Sequence, residues 1–261
     1  MTTFPTLFVS HGSPMLAIQD SPARRFLQAL GLKLPKPRAV VVASAHWQSE
    51  GGPAVSVAEE METIHDFGGF PPALFAIQYG AHGAPEVAGH VAQCLQNAGY
   101  PVKRSAQRGL DHGAWVPLML MYPEADVPVF QVSLLRDASA AEHERLGRAL
   151  ATLRNEDVLV IGSGSLTHNL QEFRGQELDA PVPSWVSEFS DWMKQALQED
   201  RRAALLDYRA QAPHAVKNHP TEEHLMPLFV AMGAAGAGAK AEQMHSSVEY
   251  GILAMDVYGF A

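Results

Sequence analysis

Twelve histidines stand in a chain of 261 residues beside a single cysteine, Cys94. Imidazole both binds transition metals and titrates near neutral pH, so this excess directs attention to metal and acid–base chemistry. One cysteine cannot form a thiolate cluster or an intrachain disulfide, so any metal site must use nitrogen and oxygen. The sequence has no HxxxH pair and no HExxH. A histidine site would therefore have to be assembled from segments far apart in the chain.

Four histidines lie where such a site could form. His11 follows the apolar run Leu7-Phe8-Val9 and opens His11-Gly12-Ser13-Pro14, where Gly12 permits close backbone approach and Pro14 fixes a turn. His46 repeats the arrangement after Val40 to Val42, and His168-Asn169 follows the run Val158 to Ile161 and the small residues Gly162-Ser163-Gly164-Ser165. A turn or capping histidine is the plainer reading of any one of them. His224 lies in Pro220-Thr221-Glu222-Glu223-His224, where Thr221 can cap a helix with His224 in its first turn and Pro227 kinking or restarting it. Taken alone, His224 reads as a surface residue. His65-Asp66 and Asp111-His112 pair a carboxylate with a histidine in sequence, as bases or as ordinary loops. His82, His90, His143, His214, His219 and His245 sit in polar or helical surroundings and are expected on the surface, without a role.

The elements that would position these residues alternate. Runs rich in β-branched residues at Thr6 to Ser10, Ala39 to Ala45, Pro128 to Leu135 and Asp157 to Gly162 predict strands buried on both faces. Met1 to Ser10 as a whole reads as the approach to the first strand. Helical spacing marks Val87, Val91, Leu95 and Ala98, then Leu146, Ala149, Leu150 and Leu153 behind a Ser139 cap with Glu142, then Trp185 to Ala196. This alternation predicts an α/β fold, a three-layer α/β/α sandwich with a mostly parallel, mixed central sheet. Ligands should gather beyond the carboxyl ends of the strands. Ser246 to Phe260 is expected to add a mixed or edge strand, and Gly233 to Ala239 a surface loop. Residues 1–261 are expected to form a single catalytic domain.

Composition narrows the partners. Lys and Arg number 19 against 28 Asp and Glu, a formal charge of −9, with no basic stripe, so nucleic acid is not expected as a partner. Hydrophobic residues make up 47% without a membrane-length apolar run, and the N-terminus lacks a basic leader, so a cytoplasmic protein with no membrane partner is expected.

His11-Gly12-Ser13-Pro14, Ser44-Ala45-His46-Trp47, Ile64-His65-Asp66-Phe67-Gly68-Gly69-Phe70-Pro71, Asp111-His112-Gly113 and His168-Asn169-Leu170 occur in this order. Together with Pro220 to Pro227 they resemble the LigB-like class III extradiol ring-cleavage dioxygenases, in their DOPA 4,5-dioxygenase-like branch. The resemblance implies one divalent metal per chain, Fe(II) for activity or Zn(II) as bound, held by His11, His46 and His224. The related protocatechuate enzymes use a glutamate as third ligand, and Glu222 and Glu223 stand beside His224. His168 is implied as the acid/base beside the metal and as a candidate fourth ligand, with His112 orienting substrate or stabilising its charge. The implied partners are a small-molecule DOPA-like catechol and O2.

A facial set of three ligands on Fe(II) would leave positions for both catechol oxygens and O2. Trp47, Phe67, Phe70 and Trp115 could wall a flat substrate, although core packing accounts for each equally well. Two rival readings are a zinc-dependent hydrolase, since an all-histidine site suits Zn(II), and a non-enzymatic metal-binding protein on the same scaffold. A serine hydrolase using Ser13 is weaker, because GxSxG is missing.

Overall fold

A computed structural model describes residues 3–261. Met1 and Thr2, part of the segment expected to approach the first strand, lie outside the described residues. The apolar runs form the centre of a six-stranded sheet: β1 (Thr6–Ser10), β2 (Ala39–Ser44), β3 (Val129–Gln131), β4 (Val158–Gly164), β5 (Ala241–His245) and β6 (Val257–Phe260). Their order is β3-β2-β4-β1-β6-β5, with the first four mutually parallel and the last two pairings, β1 with β6 and β6 with β5, antiparallel. The mixed sheet expected from the sequence is the one observed.

Alternate strand residues belong to opposite cores, as a two-residue period requires. Leu7, Val9, Val40, Val42, Leu159 and Ile161 pack with helices α1 (Pro22–Lys33) and α3 (His112–Met121). Phe8, Val41, Val158 and Val160 pack on the other face with α2 (Pro85–Asn97), α4 (Ala140–Arg148), α5 (Ser184–Gln198) and α6 (Met226–Ala235). Burial on both faces explains why β1, β2 and β4 read as continuous apolar runs. At α4, the predicted capping box is present: Ser139 accepts from Glu142 N–H, and the Glu142 carboxylate accepts from Ser139 N–H at 2.8 Å. No helix among the described residues is long and apolar enough to cross a membrane.

Boundaries differ from the sequence reading at several points. Pro128 to Leu135 is not one strand, because Ser133 N–H donates to Ala54 and its hydroxyl accepts from Ala54 N–H, drawing the chain away from β2. Leu134–Leu135 pairs instead with Gln48–Ser49. The helix over Leu146 to Leu153 ends at Arg148 and continues as a 3-10 turn over Ala151–Asn155. Ser246 to Phe260 does add the mixed strand, since β6 runs antiparallel to β1 inside the sheet, while the edge is β5, whose half-exposed AEQMH carries no apolar run.

Gly233 to Ala239 is likewise not all loop, since Gly233 to Ala235 form the buried last turn of α6. Glycine is needed there because α4 and α6 cross in backbone contact. A Cβ on Gly147 would stand 2.1 Å from the Val230 carbonyl oxygen, and one on Gly233 would stand 2.0 Å from that of Glu144. Gly147→Ala must push the helices apart and is expected to destabilise the protein by about 1–3 kcal/mol, the usual range for overpacking. Urea unfolding measures this loss, and an unchanged midpoint would contradict the close crossing.

Candidate metal centre and aromatic cavity

Parallel strands β1, β2 and β4 bring their carboxyl ends together, and the histidines gather there. His11 directly follows β1, and His46 comes two residues after β2. His168 lies four residues beyond β4, and His112 is the first residue of α3. His224 precedes α6. It lies in a turn rather than in the first turn of a helix, because the helix starts only at Met226, with Pro227 at its second position. Nor is it a surface residue: it is 6% exposed. Strand β4 holds it in place, since Ser165 N–H donates to the His224 carbonyl at 2.8 Å and a Cβ on Gly164 would stand 2.1 Å from that same oxygen.

The Nε2 atoms of His11 and His46 face each other at 3.0 Å. The rings of His11 and His46 each approach that of His224, with centroids 5.6 and 5.0 Å away. One candidate nitrogen from each of the three lies within 4.8 Å of the others. The hydrogen bonds around them decide which nitrogens are free. The Ser163 hydroxyl donates to the Gly113 carbonyl and must therefore accept from His11 Nδ1, 3.0 Å away. That bond places the His11 proton on Nδ1 and leaves Nε2 as a bare lone pair. Glu223 Oε1 holds His224 Nδ1 at 2.9 Å, while His224 Nε2 is buried without a partner. His46 Nδ1 faces Asp66 Oδ2 at 3.5 Å. Three lone pairs thus point at one another at the wall of a cavity. This is unfavourable alone and suited to a cation bound at about 2.0–2.1 Å from each nitrogen.

Asp66 joins the two carboxylate–histidine pairs that sequence order had kept apart. It accepts from His112 Nδ1 at 2.9 Å and from the His112 backbone N–H at 3.0 Å, at the start of α3. The His112 hydrogen bond and nearby His46 and His112, outweighing burial, hold Asp66 down at about 2. Asp111 is fully buried between the Ser44 hydroxyl at 2.6 Å and the Arg108 guanidinium at 2.5 Å, so it is a structural anchor. His65 bonds to the Ile77 carbonyl at 3.0 Å.

His168 lies parallel to His224, with ring centroids 3.4 Å apart and 8° between planes. It borders a cavity of about 460 Å³ with His11, His46, His112 and His224. Phe67, Phe70, Leu170, Phe173 and Tyr250 make much of the remaining wall. Trp47 and Trp115 do not line it: Trp47 lies under Arg108, and Trp115 is buried with its indole N–H on the Ile64 carbonyl at 3.0 Å. His143 and His219, expected on the surface, are buried; His143 Nε2 accepts from Leu135 N–H, and His219 Nε2 bonds to the Leu166 carbonyl. A larger cavity of about 590 Å³ lies beside the start of α4 and contains none of the five clustered histidines.

Convergent bare imidazole nitrogens at strand ends, opening on an aromatic cavity, define a candidate metal centre on an α/β/α scaffold. Residues 5–261 match the family described as the catalytic LigB subunit of aromatic ring-opening dioxygenase, and the chain belongs to that family as an extradiol ring-cleaving dioxygenase. It is 44% identical over 259 residues to 4,5-DOPA dioxygenase extradiol of Beta vulgaris, covering 98% of this chain and 96% of that protein. It is 39% identical over 236 residues to the Escherichia coli K12 protein of the same name, covering 89% and 86%. A crystal structure of an uncharacterized protein from Escherichia coli K12 superimposes with a TM-score of 0.83 at 32% identity, covering 99% of this chain and all of that one. The hydrolase and non-enzymatic readings are not favoured by this kinship.

Burial holds His46, His168 and His219 at about 4, and drives His11 and His224 well below the ordinary 6.5. Each is neutral when folded and gains a proton more readily once unfolded. Their stabilisation is therefore complete above about pH 6.5 and is lost as pH falls toward 4. Asp256, raised by burial to about 6, acts in the opposite sense over part of this range but is one group against several. Urea unfolding of the metal-free protein is expected to show a steadily falling midpoint through this window, and a flat profile would contradict the buried, neutral cluster.

Proposed function

We propose that the chain opens the ring of a catechol, DOPA-like as in the names of its relatives, with both atoms of O2 entering the product beside the two hydroxyls. Its metal is held by His11, His46 and His224, and the whole of residues 1–261 serves as one catalytic domain in the cytoplasm. The observation that carries the reading is the trio of Nε2 lone pairs left bare while Ser163, Asp66 and Glu223 face the opposite nitrogens. Neutral nitrogen ligands suit Fe(II) for activity and also accept Zn(II). Fe(II) bound there would supply adjacent open positions for catechol and O2.

The remaining steps belong to the protein. Ligand lone pairs lie in the ring plane, so the stacked rings of His168 and His224 direct theirs within separate, nearly parallel planes rather than to one point. His168, whose ring also offers a nitrogen within 4.8 Å of ligand atoms of Glu223 and His224, is accordingly favoured as the base over a fourth ligand. Burial keeps it neutral at physiological pH, able to take a hydroxyl proton from the catechol and return it during ring opening. His112, fixed through Nδ1 by Asp66, keeps Nε2 for the substrate oxygen. Phe67 and Phe70 line the same cavity and exclude water from the ring.

Anaerobic loading with Fe(II), followed by catechol and air, is expected to consume oxygen and yield a yellow semialdehyde. If no catechol supports uptake, the proposal fails. His168→Ala should abolish turnover while metal analysis still finds about one ion per chain, whereas His11→Ala, His46→Ala or His224→Ala should lose the ion. Glu223→Gln should weaken metal affinity or activity by about 10–100-fold, the range for partners that orient ligands. Isothermal titration separates those two effects.

A further inference from the structure

His168 stands farther from its strand than His11 or His46, four residues beyond the end of β4. Its ring hydrogen-bonds to no other residue among those described, unlike the rings of His11, His112 and His224. Where the ring points therefore depends on the backbone of the loop after β4 and on the His224 face against which it lies.

That loop is held from two sides. On one, Ser165 N–H donates to the His224 carbonyl at 2.8 Å, Leu166 N–H to the Ser10 hydroxyl at 3.1 Å, and the Thr167 hydroxyl to the Ile252 carbonyl at 2.8 Å. On the other runs Lys217-Asn218-His219. The Asn218 carbonyl accepts from His168 N–H at 3.1 Å, the Lys217 carbonyl accepts from the Asn169 amide at 2.6 Å, and His219 Nε2 donates to the Leu166 carbonyl at 2.9 Å. Three successive residues thus grip Leu166, His168 and Asn169.

Asn218 and His219 are fully buried, yet neither lines the histidine cavity. Asn218 is itself locked, its side-chain amide donating to the carbonyls of Trp185 at 2.8 Å and His214 at 3.1 Å. Pro220 disfavours helical backbone at His219, which stands at φ −127° and ψ 82° beside the rings of Phe189 and Tyr208. The bond to Leu166 puts the His219 proton on Nε2 and leaves Nδ1 buried without a partner. A buried polar atom left bare is costly, and an apolar residue would avoid that cost. The bond to Leu166 is what an imidazole contributes here.

We infer that Asn218 and His219 are positioning residues, clamping the loop after β4 so that the His168 ring meets the catechol hydroxyl in line for proton transfer. The inference rests on the ring-opening reading above, with His168 as its base. Oxygen uptake by the Fe(II)-loaded protein with DOPA tests it through three substitutions at His219. Gln places an amide nitrogen where Nε2 stands and keeps the donor, Asn is a methylene too short, and Leu has no donor. His219→Leu and His219→Asn should lower kcat by about tenfold or more, up to about 100-fold, as for a misplaced reacting group. KM and bound metal should stay at the wild-type level, since the cavity wall and the three metal-holding histidines are unchanged. His219→Gln should restore most of kcat.

Wild-type kcat in His219→Leu, a His219→Gln no better than His219→Leu, or loss of the ion together with turnover would each overturn the inference while leaving ring opening intact. Nitrogen NMR of the Zn(II)-loaded wild-type protein decides the matter even where a variant fails to fold. His219 is expected to show a slowly exchanging Nε2 proton, and an Nδ1 tautomer or a freely exchanging ring would overturn the clamp. Absence of oxygen uptake by the wild type with any catechol would overturn the ring-opening reading as well.

Discussion

The site depends on one constraint: three imidazole nitrogens must remain unprotonated and free of hydrogen-bond donors while facing one another. Left alone, such lone pairs would rotate away or acquire hydrogen bonds. Hydrogen bonds to the opposite nitrogens of His11 and His224 prevent this, through the Ser163 hydroxyl and the Glu223 carboxylate. Asp66 occupies the corresponding side of His46. Tautomer and ring orientation are thus set by groups that need never touch substrate. The low proton affinity of His11 and His224 has a related origin, since burial and neighbouring imidazoles disfavour any added charge.

The sheet makes that constraint achievable. Parallel β1, β2 and β4 end at one level, so residues just beyond them meet without long loops. Gly164 lets the His224 backbone lie directly on β4, and the α4–α6 crossing fixes the helix that follows His224. Packing two layers away therefore bears on where His224 stands. Asp66 has a double function of the same kind: it meets the first backbone N–H of α3 and also holds the His112 ring.

Much of this was legible in the sequence because buried parallel strands leave a plain signal. Val40 to Val42 and Val158 to Ile161 could hardly be anything else, and a histidine beyond such a run has a predictable address. His224 carried no comparable signal, since a turn held by Gly164 looks from the sequence like an exposed helix start. Edge strand β5 was missed because it is half exposed and polar. The support network was missed because Asp66 reaches His112 across 46 positions and Ser163 reaches His11 across 152, distances at which neither periodicity nor motif speaks. Of four aromatics expected to wall a substrate, Phe67 and Phe70 line the cavity, while Trp115 serves the core.

The clustered histidines enter at positions 11, 46, 112, 168 and 224, so the centre draws on almost the full length of the chain. No contiguous half contains His11, His46 and His224 together. Metal affinity is consequently a property of the closed sheet rather than of any segment, and ion capture records completion of the tertiary fold. A nascent or partly unfolded chain would carry the same residues without assembling their common pocket, so an ion would find no site until the sheet has closed.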